Sequence, residues 1–191
     1  MRLEYLENPP ASLGAEDQHV VELIKEVRGE LGLLPVDRTL LHAPEFARGW
    51  HCMFGAIRRG SSLPDDIREI AICRTGLINK AWYEWNIHSQ ILLQTENFGQ
   101  EKLSIIKQTH PTSQGPLDDR QWATLRYADA MTREVAISQV LFDEVKAAGF
   151  TTKQIVELTG TIAGYNMVSR FLVALNIAEA NDHQAPSWAT D

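Results

Sequence analysis

Sulfur is scarce in this chain: Cys52 and Cys73 are its two cysteines in 191 residues, and they fall on separate predicted helices without a CxxC or metal-ligand spacing. That excludes a disulfide framework and marks both as free thiols. Long apolar runs are also missing, and the opening MRLEYLENPP is polar and proline-broken. Neither a membrane span nor a signal peptide is expected, which makes the cytoplasm the expected location. Basic residues are few, with 18 Lys and Arg against 25 Asp and Glu, a net charge of -7, and no cationic cluster longer than Arg58 and Arg59. Nucleic acid and anionic membranes are therefore poor partners. No stretch shows the β-branched alternation between turn residues that marks a sheet.

What remains is helix-period patterning, with 44% hydrophobic residues to build a core. The chain reads as all-α, one domain over 1–191. The expected helices are Ala15 to Leu31, Asp37 to His42, Pro44 to Arg59, Pro64 to Asn79, Ala81 to Thr95, Gln100 to Thr109, Leu117 to Arg133, Ser138 to Ala148 and Thr152 to Ala178. Pro64 suits a first helical turn, Asp65 and Asp66 favour its positive end, and Gly60, Gly99 and Gly149 mark stops. The loop THPTSQGP, near 109–116, divides the chain into two lobes in this reading. A faint repeat relates Ile67-Arg68-Glu69-Ile70 to Ile155-Val156-Glu157-Leu158, each with a glycine seven residues after the glutamate. The tail from Asn181 onwards is expected to be extended, with Trp188 available to a neighbouring subunit.

Ionisable residues lie where two of these helices should be buried. Glu69 shares one arc with Ile70, Ile72, Cys73, Gly76 and Leu77, and Glu84 and His88 share a stripe with Ala81, Trp85, Ile91 and Leu92. A buried carboxylate or imidazole is costly unless paired, so three on adjoining helices point to a polar site in an apolar surround. Glu84 and His88 stand one turn apart, the spacing at which a carboxylate orients an imidazole for proton transfer; a surface pair contributing about 0.2–0.5 kcal/mol is the plainer alternative. Glu69 has a structural alternative as the partner of Arg74 or Arg170. Glu-x-x-x-His plus a second glutamate offers three metal ligands, but bundle metal centres draw Glu-x-x-His motifs from paired helices and no second motif is present, so no metal is expected. Trp82, Tyr83 and Trp85 can wall a pocket for a flat substrate or serve as core; Tyr165 and Asn166 can add hydrogen-bonding groups, with Met167, Val168, Phe171 and Leu172 as core.

From Glu69 to His88 the chain reads EIAICRTGLINKAWYEWNIH, which resembles the carboxymuconolactone decarboxylase family with its AhpD-like hydroperoxidase branch. Gly164, Tyr165, Asn166, Met167 and Arg170 look like that family's closing helix, extending the resemblance over Pro44 to Ala178. Glu69 and His88 fit the outer positions of the branch's motif, whereas Ala81 and Glu84 stand where it carries two cysteines. Alanine and glutamate cannot do dithiol chemistry. The resemblance implies an AhpD-like bundle of about eight to nine helices and a homo-oligomer, trimer or hexamer. It also implies a cofactor-independent lyase acting on a small carboxylated or lactone substrate. His88 would be the proton donor, Glu84 its orienting partner and Glu69 a relay, with Arg74, Trp85 and Tyr165 binding substrate. An AhpD-like peroxidase and a non-catalytic oligomeric binding protein are the alternatives, and a lone Cys73 beside carboxylates would have its thiol raised.

Overall fold

The computed structural model describes residues 1–8, 10–182 and 186–189, apart from the side chains of Glu16 and Ser187. Among the described residues nine α-helices and no strands are found. In chain order they are α1 (Ala15–Arg28), α2 (Pro35–Leu40), α3 (Pro44–Arg59), α4 (Asp65–Ile78), α5 (Trp82–Leu93), α6 (Gln100–Ile106), α7 (Asp119–Arg133), α8 (Gln139–Ala147) and α9 (Thr152–Leu175). No described helix is long and apolar enough to cross a membrane.

Local chemistry explains where the ends differ from expectation. Helix α1 stops three residues early because Gly29 turns left-handed (φ 57°) into a short 3-10 turn over Gly29–Leu31. Helix α2 starts two residues early, at Pro35, with the Asp37 carboxylate accepting from the Leu34 backbone N–H at 2.9 Å. Capping boxes open α7 (Asp118 with Gln121) and α9 (Thr151 with Gln154), and α9 ends at Asn176 in the left-handed region (φ 53°), ahead of the expected Ala178.

Helix α4 lies at the centre. Ile72 joins a cluster with α1, α2, α3 and α9; Ile70, Cys73 and Leu77 join one with α5, α6 and α7; Ile67 and Ala71 join a third with α7, α8 and α9. A helix covered on every side has no solvent face to which a carboxylate can retreat, so Glu69 must find its partners inside. Gly164 lets α9 approach α3: a Cβ there would sit 2.9 Å from Ile57 Cδ1 and 3.4 Å from Phe54 Cε1. Glu157, the repeat's counterpart of Glu69, accepts from the Ser62 backbone N–H (3.0 Å) and hydroxyl (2.7 Å), securing the turn before α4 rather than entering a site.

The tail departs from expectation. Residues 183–185 and 190–191 of it lie outside the described residues, but Ser187–Ala189 form a 3-10 turn. Trp188 packs on its own chain, 5.0 Å from Trp85 and 6.3 Å from Trp82 between ring centroids.

Candidate active site

Glu69, Glu84 and His88 line one cavity of about 370 Å³ between α1, α2, α3, α4, α5 and α9. The turn joining α4 to α5 is tight: Lys80 takes a left-handed conformation (φ 55°) and the Ala81 N–H donates to the Gly76 carbonyl at 2.8 Å. The Gly76 Cα carries no side chain, and a Cβ there would lie 3.5 Å from the Trp85 backbone nitrogen and 3.7 Å from Glu84 Cγ. This close hairpin brings the two polar faces together.

The internal pairing differs from the one expected from the helix spacing. His88 Nδ1 stands 2.6 Å from Glu69 Oε2, across the α4–α5 interface, and Glu84 is not its partner. With the carboxylate as acceptor the proton sits on Nδ1, leaving Nε2 as the ring's open nitrogen, and Nε2 forms no hydrogen bond among the described residues. The ring is held edge-on to Tyr165 (5.3 Å, 87°), which continues an aromatic series through Phe54 and Trp50 on α3. Packing thus fixes the ring plane while Glu69 fixes its rotation.

Glu84 has a different environment. Its Oε2 accepts from the Ser169 hydroxyl of α9 at 3.0 Å, while Oε1 is buried and has no partner. Burial pushes the Glu84 carboxyl well above the usual range; Ser169 and Arg58 pull it back only in part, and Glu69 raises it further. Burial thus favours the protonated form of Glu84 beside a carboxylate-oriented imidazole. Burial likewise raises the Tyr165 phenol, opposed by Arg58, so Tyr165 stays protonated.

Three arginines reach the cavity, and none was singled out from the sequence as a site residue. Arg28 is held bidentate by Asp37 (Nε to Oδ2 and Nη2 to Oδ1, both 2.8 Å), and His51 Nε2 stands 3.0 Å from Oδ1. Burial alone would raise the Asp37 carboxyl, but His51, Arg28 and the Leu34 N–H hold it below the usual range. Arg68 donates to Asp65 at 2.7 Å and lies 3.4 Å from Glu69 Oε1. Arg58 donates from Nε to the Tyr165 hydroxyl at 2.7 Å, and its Nη groups form no hydrogen bond among the described residues. A sequence cue existed for two of them, since Arg68 adjoins Glu69 and Arg58 follows Phe54 by one turn.

Two of the expected substrate-binding residues lie elsewhere. Arg74 is fully buried, donates to Asp129 from Nε (2.7 Å) and Nη2 (2.6 Å), and donates from Nη1 to the carbonyls of Ile106 and Gln108 at 2.6 Å each. Every face of its guanidinium is engaged in tying α4 to α7 and the end of α6, so it touches neither the cavity nor Glu69. Arg170, the other suggested partner of Glu69, is tied to Asn166. Trp85 points into the cluster under Trp188, because the α5 stripe is wider than one cavity and its two flanks serve different cores. Tyr165 does line the cavity, as does Tyr83, whereas Asn166 bonds Asn79 and Thr132. Val168 and Leu172, expected only as core, form part of its wall together with Trp50. Cys73 is fully buried in apolar packing, and burial pushes its thiol well up, helped by Glu69 and Glu84. Among the described residues no group of three or more His, Cys, Asp or Glu side chains is arranged to hold a metal ion.

No protein-family model and no curated protein matches the chain. Solved structures do. An uncharacterized peroxidase-related protein from Silicibacter sp. TM1040 is 24% identical with TM-score 0.71, covering 88% of each chain. An uncharacterized peroxidase-related protein with an alkylhydroperoxidase AhpD core, from Ralstonia eutropha JMP134, is 19% identical with TM-score 0.72, covering 94% of this chain and 93% of its own. The debrominase Bmp8, in complex with 2,3,4-tribromopyrrole, is 15% identical with TM-score 0.72, covering 99% and 94%. The fold is therefore the AhpD-like all-helical one. At these identities the likeness defines architecture, and the chemistry rests on the side chains present here.

Proposed function

We propose that this protein is a proton-transfer enzyme acting on a small carboxylated or lactone-like molecule, with decarboxylation as its reaction. The observation that supports this reading is the Glu69–His88 pair sharing one cavity with Glu84, a carboxyl whose burial favours its protonated form. Two titratable groups whose surroundings assign them opposite roles, an oriented imidazole and a buried acid, are the requirement for general acid–base catalysis. The roles assigned from sequence shift accordingly: Glu69 orients His88, and Glu84 becomes the acid.

In the proposed step the bond to the departing carboxylate breaks and its electron pair passes through the conjugated substrate to a carbonyl oxygen. Carbon dioxide leaves, and the Glu84 O–H and Tyr165 O–H are the groups available to stabilise the enolate oxygen. Protonated His88 then delivers Nε2–H to the carbon, and solvent returns a proton to the imidazole. The substrate's own carbonyl is the electron sink, so no further group enters this step. The trimer or hexamer implied by the resemblance belongs to the same proposal and is checked by sedimentation velocity.

A second reading, an AhpD-like peroxidase, is favoured by the peroxidase-related names of two structural neighbours. One experiment separates the two: incubation with 3-oxo and lactone acids in D2O, following carbon dioxide release and deuterium incorporation by NMR. His88→Gln should slow both by about 100-fold or more, while Cys52→Ser with Cys73→Ala should leave both intact. Full activity in His88→Gln removes proton transfer by this residue. Peroxide consumption lost only in the cysteine variant establishes the thiol reading instead.

A further inference from the structure

The three cavity arginines are not equivalent. Asp37 satisfies Arg28, and Asp65 and Glu69 neighbour Arg68, but the hydrogen-bond partner of Arg58 is a neutral phenol. Its cation also rests against the Phe54 and Tyr165 rings (5.9 and 5.7 Å to the centroids), which anchors it. Glu69 and Glu84 act on this cation through space without hydrogen-bonding to it, so its Nη groups stand at the cavity open to the oxygens of an anion. Independently, Glu84 is a lining residue whose buried Oε1 has no partner, a polar atom that a hydrogen-bonding oxygen of an occupant would satisfy. Between these two polar groups the wall is largely apolar: Trp50, Ile87, Ile91, Val168 and Leu172, with Leu34 at the α1–α2 side. The volume, about 370 Å³, is at the lower end of the roughly 300–1,000 Å³ common to small-molecule sites.

We propose that the cavity selects a monocarboxylate with a flat apolar body and one further oxygen, the carboxylate held by Arg58 and the oxygen by Glu84. Dicarboxylates are disfavoured because Arg28 and Arg68 already have carboxylate partners and a second anion would face Glu69. This deepens the proton-transfer reading by naming the substrate class of the same site and the residues that choose it, but it is tested by binding rather than turnover.

The test is isothermal titration calorimetry on the whole protein with four probes: benzoylformate, its neutral counterpart acetophenone, phenylacetate, which lacks the second oxygen, and the dicarboxylate phenylsuccinate. Benzoylformate should bind about tenfold or more tightly than acetophenone and phenylsuccinate. Arg58→Gln should abolish its advantage over acetophenone, and Arg58→Lys should restore part of it. Glu84→Leu should remove the preference for benzoylformate over phenylacetate. Equal affinity of benzoylformate for the wild type and Arg58→Gln, tighter binding of phenylsuccinate, or no saturable binding of either aromatic monocarboxylate overturns the proposal. If Arg58→Gln does not fold, the wild-type ranking of the four probes decides. Retained selectivity without deuterium exchange would refute the proton-transfer reading alone, and loss of selectivity with exchange intact would refute this one alone.

Discussion

Replacing Arg74 by methionine tests whether this arginine serves substrate or scaffold. Its guanidinium makes two bonds to Asp129 and two short ones to the carbonyls of Ile106 and Gln108, all within 2.6–2.7 Å. Methionine fills much of the same space but leaves Asp129 and the two carbonyls without their donor. Removing one partner of a buried ion pair costs about 3–5 kcal/mol; the Asp129 side chain keeps 17% exposure, so solvent recovers part of that and about 3 kcal/mol is expected. For a chain of this size each kcal/mol lowers Tm by about 2–4 °C, giving a fall of roughly 6–12 °C. Differential scanning calorimetry and urea unfolding both measure it. The double variant Arg74→Met with Asp129→Leu should recover a large part, because an apolar pair no longer strands a charge. Benzoylformate affinity, in contrast, should not change, since Arg74 lies outside the cavity. A Tm within about 2 °C of the wild type, or a loss of ligand binding with Tm intact, would refute the scaffold role.

Two further outcomes follow from particular contacts. Gly164→Ala sets a helix-propensity gain of about 1 kcal/mol against moving the Ile57 tip, which its Cβ would meet at 2.9 Å, so urea unfolding should show a change within about 1 kcal/mol, whereas Gly164→Val should destabilise by about 1–3 kcal/mol by pressing on Phe54 as well; a neutral Gly164→Val would mean that α3 and α9 are not so closely packed. Glu84 gives stability a pH dependence of known sign. Its folded pKa is raised, so its contribution is complete below the unfolded value, about 4.5, and declines as pH climbs through the folded value. Glu84→Gln should remove that alkaline decline from a series of unfolding curves, and an unchanged pH profile would show that Glu84 is not buried as a neutral acid.

Much of the fold was legible because its signals are local. Proline and aspartate at the start of α4 and glycine after α3 and α8 act through near neighbours in sequence, so helix positions could be read within a few residues, although the stop at Gly29 was passed over. The polar anomalies Glu69, Glu84 and His88 were legible for the same reason: helical periodicity places them on faces that ought to be apolar. Periodicity could not reveal which group each would face. Spacing alone favoured Glu84 as the partner of His88, yet the tight α4–α5 turn delivers Glu69 to Nδ1, and Ser169, 85 positions away, takes Glu84.

The arginines show the same division. Arg74, in the middle of the motif, looked like an anchor for substrate, but Asp129 and the carbonyls at the end of α6 claim all of it. Arg58, on α3 and 107 positions in sequence from its tyrosine, stands at the cavity instead. The amino-acid sequence by itself determined that the chain is helical, that α4 and α5 each bury ionisable groups, and that a CxxC pair is absent. Only the tertiary structure decided which carboxylate orients the imidazole, which pairs with a serine hydroxyl, and which arginine keeps Nη groups without hydrogen bonds. Helix formation depends on residues a few positions apart, whereas charge pairing and desolvation depend on whatever the completed packing brings within a few ångströms.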